Sequence, residues 1–336
     1  MENEKNDWYR GITRELSYFT AQEIINAYQN MDEKYGVSFY NILIHLENGL
    51  LTMIRKKSEL KKIIDYIESQ PEESIINQLQ EAADMYDEMH EKLKGFKLNV
   101  ETWKELMKLC RALWTRNMFC IYFGYGAERK KIQEIREKNY ELVVKVRNDI
   151  NDLFILDDFL KNYFDDLDLT ELSFEEIGEY LENNKLPTEK ELNKRRKDFL
   201  ILTKNLQPEE VPQDKIKETI AKYLPEIDYS GLTEVKGRIA FKGNATGRAK
   251  VILRKEDLND IQEGDIFVTL MTNPEYEPFM LKIAGIVTDD GGATCHASII
   301  AREMKVPCIV GTKHATKVFK TGDIIEIDSE GIARKC

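Results

Sequence analysis

From residue 72 to residue 186 the chain contains no proline, whereas residues 231–336 hold eleven of its eighteen glycines. Proline inside a helix removes a hydrogen bond and clashes with the preceding turn. A long proline-free run is therefore open to long helices, and a glycine-dense run suits tight turns between short strands. Apolar residues support the division. In "ESIINQLQEAADMYDEMHEKLKGF", Ile75, Ile76, Leu79, Ala82, Ala83, Tyr86 and Met89 fall on one helical stripe. "NVETWKELMKLCRALWTRNMFCIYFGYG" and "ERKKIQEIREKNYELVVKVRNDINDLF" have the same period, and Ser173 with Glu176 forms a capping-box pattern. Residues 1–204 are expected to form an all-helical region. Residues 205–232, with Pro208, Pro212, Pro225 and Gly231, are expected to be a linker with one short helix.

Residues 233–336 change period. "GRIAFKGNATGRAKVIL" alternates on both sides of "GNATG" and predicts a hairpin. "GDIFVTLM", "AGIVTDD", "PCIVGT" and "GDIIEID" are short β-rich runs, with helical patches at 275–284 and 296–305. The expected fold class is an N-terminal helical region followed by a C-terminal α/β module.

Charge separates the parts as well. Residues 231–336 carry 15 Lys+Arg and 15 Asp+Glu, so the formal charge of -11 belongs to the first 230 residues, with 34 against 45. That balance argues against nucleic acid or an anionic membrane as the main partner. The N-terminus "MENEKNDWYRG" has no apolar signal-like segment, and "MFCIYFGYGA" is too short to span a bilayer. The five cysteines (110, 120, 295, 308, 336) lack CxxC spacing, which fits reduced thiols and a cytoplasmic location. No spacing among the four histidines (45, 90, 296, 314) makes a metal site.

His296 stands out among these four. It follows Gly291 and Gly292 and lies at the expected start of a helix, in "GGATCHASIIARE". The glycines let the backbone turn and let a bulky group approach main-chain N–H groups. Unsatisfied N–H groups and the positive dipole end favour a phosphate there. The same field disfavours imidazolium, which leaves a nucleophilic imidazole. A capping or packing histidine beside a glycine turn accounts equally well for these residues.

"GGATCHASIIAREMKVPCIVGT" closely resembles the phosphohistidine segment of the phosphoenolpyruvate-utilising enzymes: phosphoenolpyruvate synthase, pyruvate phosphate dikinase, rifampin phosphotransferase and the first enzyme of the sugar phosphotransferase system. "VTLMTNPEYEPFMLKIAGIVTDDGG" is especially like the synthase. "GNATGRAKVI" and "TGDIIEIDSEGIARK" extend the resemblance over about residues 233–336. It implies a swivelling β/β/α module in which His296 is transiently phosphorylated. It also implies that Thr294 lies close to the phosphate and is open to regulatory modification. Gly291, Gly292 and Cys295 complete the phosphate-proximal segment.

The family's phosphate donors are an ATP-grasp domain or a phosphoenolpyruvate-binding barrel. The helical part shows no Walker loop or GxGxxG, and the sequence ends soon after the module's last expected strand. The expectation is a carrier that binds no cofactor itself. An ATP-grasp subunit holding ATP and Mg, or a phosphoenolpyruvate-binding subunit, would phosphorylate it in trans. The phosphoryl group would then pass to a small-molecule acceptor. A scaffold or regulatory protein, and a fragment of a larger phosphotransferase, are the competing readings. The helical-then-histidine order is shared with rifampin phosphotransferase as a layout only.

The remaining candidates favour structural roles. His314 is expected in a surface loop, and His45 and His90 on helices. Arg302 and Glu303 follow the family pattern as support. "WTRNMFCIYFGYGAERKK" (114–131) reads first as core and second as an acceptor pocket in which Arg129, Lys130 or Lys131 meets an anion.

Overall fold

The computed structural model describes residues 7–151, 155–164, 167–224, 228–272, 276–292 and 295–336. The chain divides into two compact units, Met1–Pro225 and Glu226–Cys336.

The first unit is not all-helical, as the sequence had led us to expect. It contains a five-stranded antiparallel sheet of β1 (Trp8–Glu15), β2 (Ile42–Glu47), β3 (Leu50–Lys56), β4 (Asp198–Lys204) and β5 (Gln207–Val211), in the order β1-β3-β2-β4-β5. The connection between β2 and β3 is Asn48-Gly49, both at positive φ (49° and 79°), as a two-residue type I′ loop requires. His45 therefore lies on β2 and not on a helix, and its Nε2 meets Asp198 Oδ1 at 2.7 Å. The connection between β4 and β5 is Asn205-Leu206, also both at positive φ. A non-glycine residue in that conformation costs about 1–2 kcal/mol. Burial of the Leu206 side chain and its N–H bond to the Tyr40 carbonyl (2.9 Å) offset that cost. Most of the expected linker thus belongs to the first unit. Pro208 sits on the edge strand β5 and Pro212 just after it, where a missing N–H is tolerated, and Pro225 lies outside the described residues.

Both faces of this sheet are covered. Ile44, Leu46, Leu51, Met53, Phe199 and Ile201 pack into the helical core. Leu43, Ile54, Leu200, Leu202 and Val211 pack on the other side with Ile216 of α10 (Ile216–Tyr223). The helices run in sequence between β1 and β2 and between β3 and β4. They are α1 (Tyr18–Tyr35), α2 (Lys57–Ser69), α3 (Glu72–Leu93), α4 (Val100–Tyr125), α5 (Lys130–Lys138), α6 (Tyr140–Asn151), α7 (Ile155–Lys161), α8 (Phe174–Asn183) and α9 (Glu189–Lys197). The capping box at Ser173 and Glu176 forms as read. Helix α4 is the central one, capped by Asn99 and burying Trp103, Leu106, Leu113, Phe119 and Phe123. Asp157 on α7 accepts hydrogen bonds from Ser17 Oγ (2.9 Å) and Thr20 Oγ1 (2.8 Å) at the start of α1. Burial raises its carboxyl from 3.8 to about 6 against those bonds.

Within 114–131, Trp114, Met118, Phe119, Cys120, Tyr122 and Phe123 are core, as the first reading holds, whereas Tyr125 and Lys130 are exposed. Arg129 pairs with Asp65 and Glu68, and Lys131 donates to the carbonyls of Glu68 and Gln70, where α2 ends. Tyr122 instead meets a cation from the sheet. Arg55 of β3 is fully buried, donates from Nη1 to Tyr122 Oη (2.7 Å) and lies against the rings of Tyr9, Phe39 and Tyr125.

Among the described residues the second unit is built on eight strands: β6 (Glu234–Lys236), β7 (Arg238–Phe241), β8 (Ala245–Ile252), β9 (Ile266–Thr269), β10 (Gly285–Thr288), β11 (Cys308–Val310), β12 (Ile324–Ile327) and β13 (Ile332–Lys335), ordered β6-β13-β12-β8-β9-β10-β11-β7. β6 and β7 are separated by Gly237 alone yet lie at opposite ends of the order, so the sheet must wrap around. The hairpin expected from "GNATG" does not form. β7 pairs with β11, and β8 lies between β12 and β9. Neither Gly243 nor Asn244 takes a positive φ, so the primed turn that would fold β8 back onto β7 is absent. Residues alternate between two cores. Ile266, Val268, Val287 and Ile309 line one side with Phe319. Phe267, Ile286, Cys308 and Val310 line the other, under α11 (Glu277–Met280) and α12 (His296–Met304). The expected helical patch at 275–284 is thus one short turn, while α12 matches its expected span. The last helix is α13 (Ala315–Val318).

Candidate functional site

Strands β8, β9, β10 and β11 are parallel neighbours, so the segments leaving the carboxyl ends of β9 and β10 emerge side by side. That is the end at which open α/β sheets bind ligands. The ladder continues past the strands, with Asp289 N–H bonded to the Thr269 carbonyl (3.0 Å) and Asp290 N–H to the Leu270 carbonyl (2.8 Å). Asp289 anchors the segment after β10. It is buried and accepts from Thr316 N (3.1 Å), Thr316 Oγ1 and Thr312 Oγ1 (3.3 Å). Desolvation raises its carboxyl above the usual range although these bonds oppose it.

Gly291 takes φ 121°, and a Cβ there would lie 2.8 Å from Cys295 Sγ. Its backbone conformation and its packing both require glycine. Gly292 needs neither, since a Cβ there would meet nothing within 4 Å. Its carbonyl accepts from Cys295 N (3.1 Å) and Ser298 Oγ (2.8 Å), which closes the loop onto the first turn of α12. Cys295 is the N-cap residue and supplies no side-chain cap, but its Sγ lies 3.3 Å from Ser298 Oγ. Thr294, the other expected site residue, lies outside the described residues.

His296 is the first residue of α12. Its Nδ1 lies 2.8 Å from Thr272 Oγ1, and its Nε2 lies 3.0 Å from Glu277 Oε1. The two partners differ in exposure. Thr272 is 7% exposed, whereas the Glu277 side chain keeps half of its surface in water. One ring nitrogen is therefore anchored inward and the other faces outward. A hydroxyl can donate or accept, so Thr272 satisfies Nδ1 with or without a proton. An ionised carboxylate only accepts, so its contact with Glu277 requires a proton on Nε2. Thr272 and Glu277 both lie in "VTLMTNPEYEPFMLK", a stretch matched to the family above, yet neither was singled out as a site residue. Only the parallel pairing of β9 and β10 brings them to His296.

The other candidates stand apart from this arrangement. His314 precedes α13 and stacks on Tyr229 (5.4 Å between ring centroids). His90 lies on α3, with Nδ1 3.0 Å from the Tyr86 carbonyl. Arg302 and Glu303 are exposed on α12. Among the described residues no cluster of His, Cys, Asp and Glu has metal-binding geometry, and no helix is long and apolar enough to cross a membrane.

Residues 261–331, which contain the whole arrangement, match the family described as "PEP-utilising enzyme, mobile domain". The relatives are similar over the same region. A probable phosphoenolpyruvate synthase of Archaeoglobus fulgidus is 43% identical over 126 residues, 36% of this chain and 17% of that protein. A probable phosphoenolpyruvate synthase of Methanothermobacter thermautotrophicus is 50% identical over 94 residues, 28% and 14% respectively. The phosphoenolpyruvate synthase of Pyrococcus furiosus is 44% identical over 112 residues, 33% and 14%. The chain thus spans less than a fifth of the length of these relatives.

Proposed function

We propose that His296 is a phosphoryl carrier, phosphorylated on Nε2 by a donor site in another subunit and discharged to a small-molecule acceptor. The observation that carries this reading is the unequal setting of the two ring nitrogens: Nδ1 against buried Thr272, Nε2 outward against a half-exposed carboxylate. The match of residues 261–331 to the mobile domain supports it.

The chemistry follows from the proton positions. In the resting arrangement Nε2–H donates to Glu277 and the Thr272 hydroxyl donates to Nδ1. Exchange of one proton through solvent gives the other neutral tautomer, in which Nδ1–H donates to Thr272 Oγ1. Glu277 then loses its partner and swings into water. The Nε2 lone pair attacks phosphorus in line, the N–P bond forms, and the P–O bond to the leaving group breaks with its electron pair. The return reaction transfers the phosphoryl group to the acceptor oxygen and restores the lone pair. The uncapped first turn of α12 and the segment at Gly291 and Gly292 offer main-chain N–H groups and a positive dipole end to the phosphoryl oxygens. Thr294 stands two residues before the histidine, where modification with a second dianion would repel the incoming group.

The donor in this proposal is an ATP-grasp subunit that holds ATP and Mg, with a phosphoenolpyruvate-binding subunit as the other source. The test is to incubate the chain with β- or γ-labelled ATP and, separately, with labelled phosphoenolpyruvate, each with and without such a donor protein. Acid-labile, alkali-stable label is expected only with the donor present and is expected to vanish in His296→Ala. Label that survives in His296→Ala refutes the carrier role. Stoichiometric labelling without a second protein refutes the trans donor.

A further inference from the structure

The first unit is acidic overall, yet one groove in it is lined by cations. The groove lies between α1 and α4, has a volume of about 620 Å³, and is bordered by Lys34, Lys104, Lys108, Arg111 and Arg116, with Glu33 the one lining carboxylate among the described residues. Lys104, Lys108 and Arg111 lie at positions i, i+4 and i+7 of α4 and so share one face. Lys104 meets Glu182 at 3.5 Å and Arg111 meets Glu175 at 3.9 Å, but neither carboxylate lines the groove. Lys34 and Arg116 share a single carboxylate, Glu81, at 3.9 and 2.7 Å. Burial pushes the Lys34 ammonium below its usual range, and the neighbouring Arg116 guanidinium pushes it further, against the pull of Glu81. Lys108 makes no ion pair among the described residues. Arg111 is held rigidly: Glu23, 1% exposed, takes its guanidinium at 2.9 and 3.0 Å, and the guanidinium lies 4.4 Å from the centre of the Phe174 ring. Five lining cations beside one lining carboxylate create a local positive potential, which an anion relieves. Trp103 stacks on Phe174 and Arg111 lies against the same ring, so the ring is not free to take a nucleobase. The volume is that of a small-molecule site.

We propose that this groove binds a small molecule bearing at least two phosphate-type anionic groups. Its assignment as the phosphoryl acceptor or its product rests on the carrier reading of His296, whereas the binding itself does not.

The experiment is calorimetric titration of the full chain with inorganic pyrophosphate at low and high salt. One saturable site per chain is expected, weakened by salt and unchanged in His296→Ala. Lys108→Glu and Lys34→Glu are each expected to weaken binding about tenfold or more, since each reverses a charge within a few ångströms of the anion. Lys130→Glu makes the same charge change at an exposed position of α5 outside the groove and is expected to change affinity less than about twofold. Equal weakening by Lys130→Glu and Lys108→Glu would overturn the proposal, because it would reduce binding to net charge. Failure of pyrophosphate to bind while long heparin fragments do would also overturn it, in favour of a macromolecular polyanion. Loss of His296 labelling with pyrophosphate binding intact would strike the carrier reading alone.

Discussion

Replacing Thr272 with valine removes one hydroxyl and keeps the shape of a buried side chain, so it isolates the hydrogen bond to His296 Nδ1. In the resting state that bond joins two neutral groups and contributes about 1 kcal/mol. As Nε2 acquires the phosphoryl group the ring becomes more cationic, and Nδ1–H donates to the hydroxyl as a charge-assisted bond of about twice that strength. The difference, about 1 kcal/mol, is lost in the transition state and not in the ground state. Phosphorylation of Thr272→Val is therefore expected to slow about five- to tenfold. Potassium phosphoramidate serves as the donor, because it is small and needs no partner protein. The rate is followed by quenching into alkali, and the position of the phosphoryl group is read by ³¹P NMR. Wild-type protein is expected to carry the group on Nε2 alone. Thr272→Ser keeps the hydroxyl and is expected to stay within about twofold of wild type. A wild-type rate in Thr272→Val, equal losses in the serine and valine variants, or label on Nδ1 of the wild type would each refute the reasoning.

Two further outcomes follow from the geometry. Gly291→Ala places a Cβ 2.8 Å from Cys295 Sγ at φ 121° and is expected to destabilise the second unit by about 1–3 kcal/mol in urea unfolding, while Gly292→Ala, whose Cβ meets nothing, changes it by less than about 0.5 kcal/mol. Asp157→Asn keeps an oxygen for Ser17 and Thr20 and removes a carboxyl raised from 3.8 to about 6. The folded state holds that proton more tightly than the unfolded chain, so wild-type stability falls as pH rises from about 4 through about 6. The asparagine variant is expected to gain most above pH 6 and nothing below pH 4, as read by its melting temperature across that range. The gain approaches about 3 kcal/mol only for a fully buried group and is nearer about 1–2 kcal/mol for this partly exposed one.

The site was legible because its histidine chemistry is written in one contiguous segment. Two glycines, a helix start and a histidine are local features, and α12 begins at His296, within two residues of where the pattern places it. Thr272 lies 24 positions from His296 and reaches it only through the pairing of β9 with β10, which no periodicity records. The first unit misled for a different reason. Strands covered on one face alternate polar and apolar residues, but "NILIHL" and "LLTMI" pack against the helical core on one side and against Ile216 and its neighbours on the other. Their near-continuous apolar runs therefore do not separate strand from buried helix by period. The sequence did hold an arbiter, Asn48-Gly49 between two apolar runs, which is the strongest short-range hairpin signal. The same signal separates the two errors. Asn-Gly at 48–49 takes positive φ at both positions and makes a hairpin, whereas Gly243-Asn244 takes none and makes a crossing.

Charge shows the same contrast between average and arrangement. The formal charge of -11 lies entirely in the first 230 residues, which disfavours nucleic acid as a partner over the surface as a whole. That sum says nothing about a groove, because the Debye length at physiological salt is about 8 Å and a small ligand responds mainly to charges nearer than that. Within such a radius the helical period matters more than the total. Read at i, i+4 and i+7, "KELMKLCR" puts Lys104, Lys108 and Arg111 on one face, and α1 brings Lys34 to the same groove. Glu23 lies buried beneath Arg111 and fixes its position, so it orders the cationic face as well as offsetting one of its charges. An acidic protein can thus hold a cleft lined mainly by cations when one carboxylate, Glu23, is buried beneath them and others, Glu81, Glu175 and Glu182, pair with them from outside its lining.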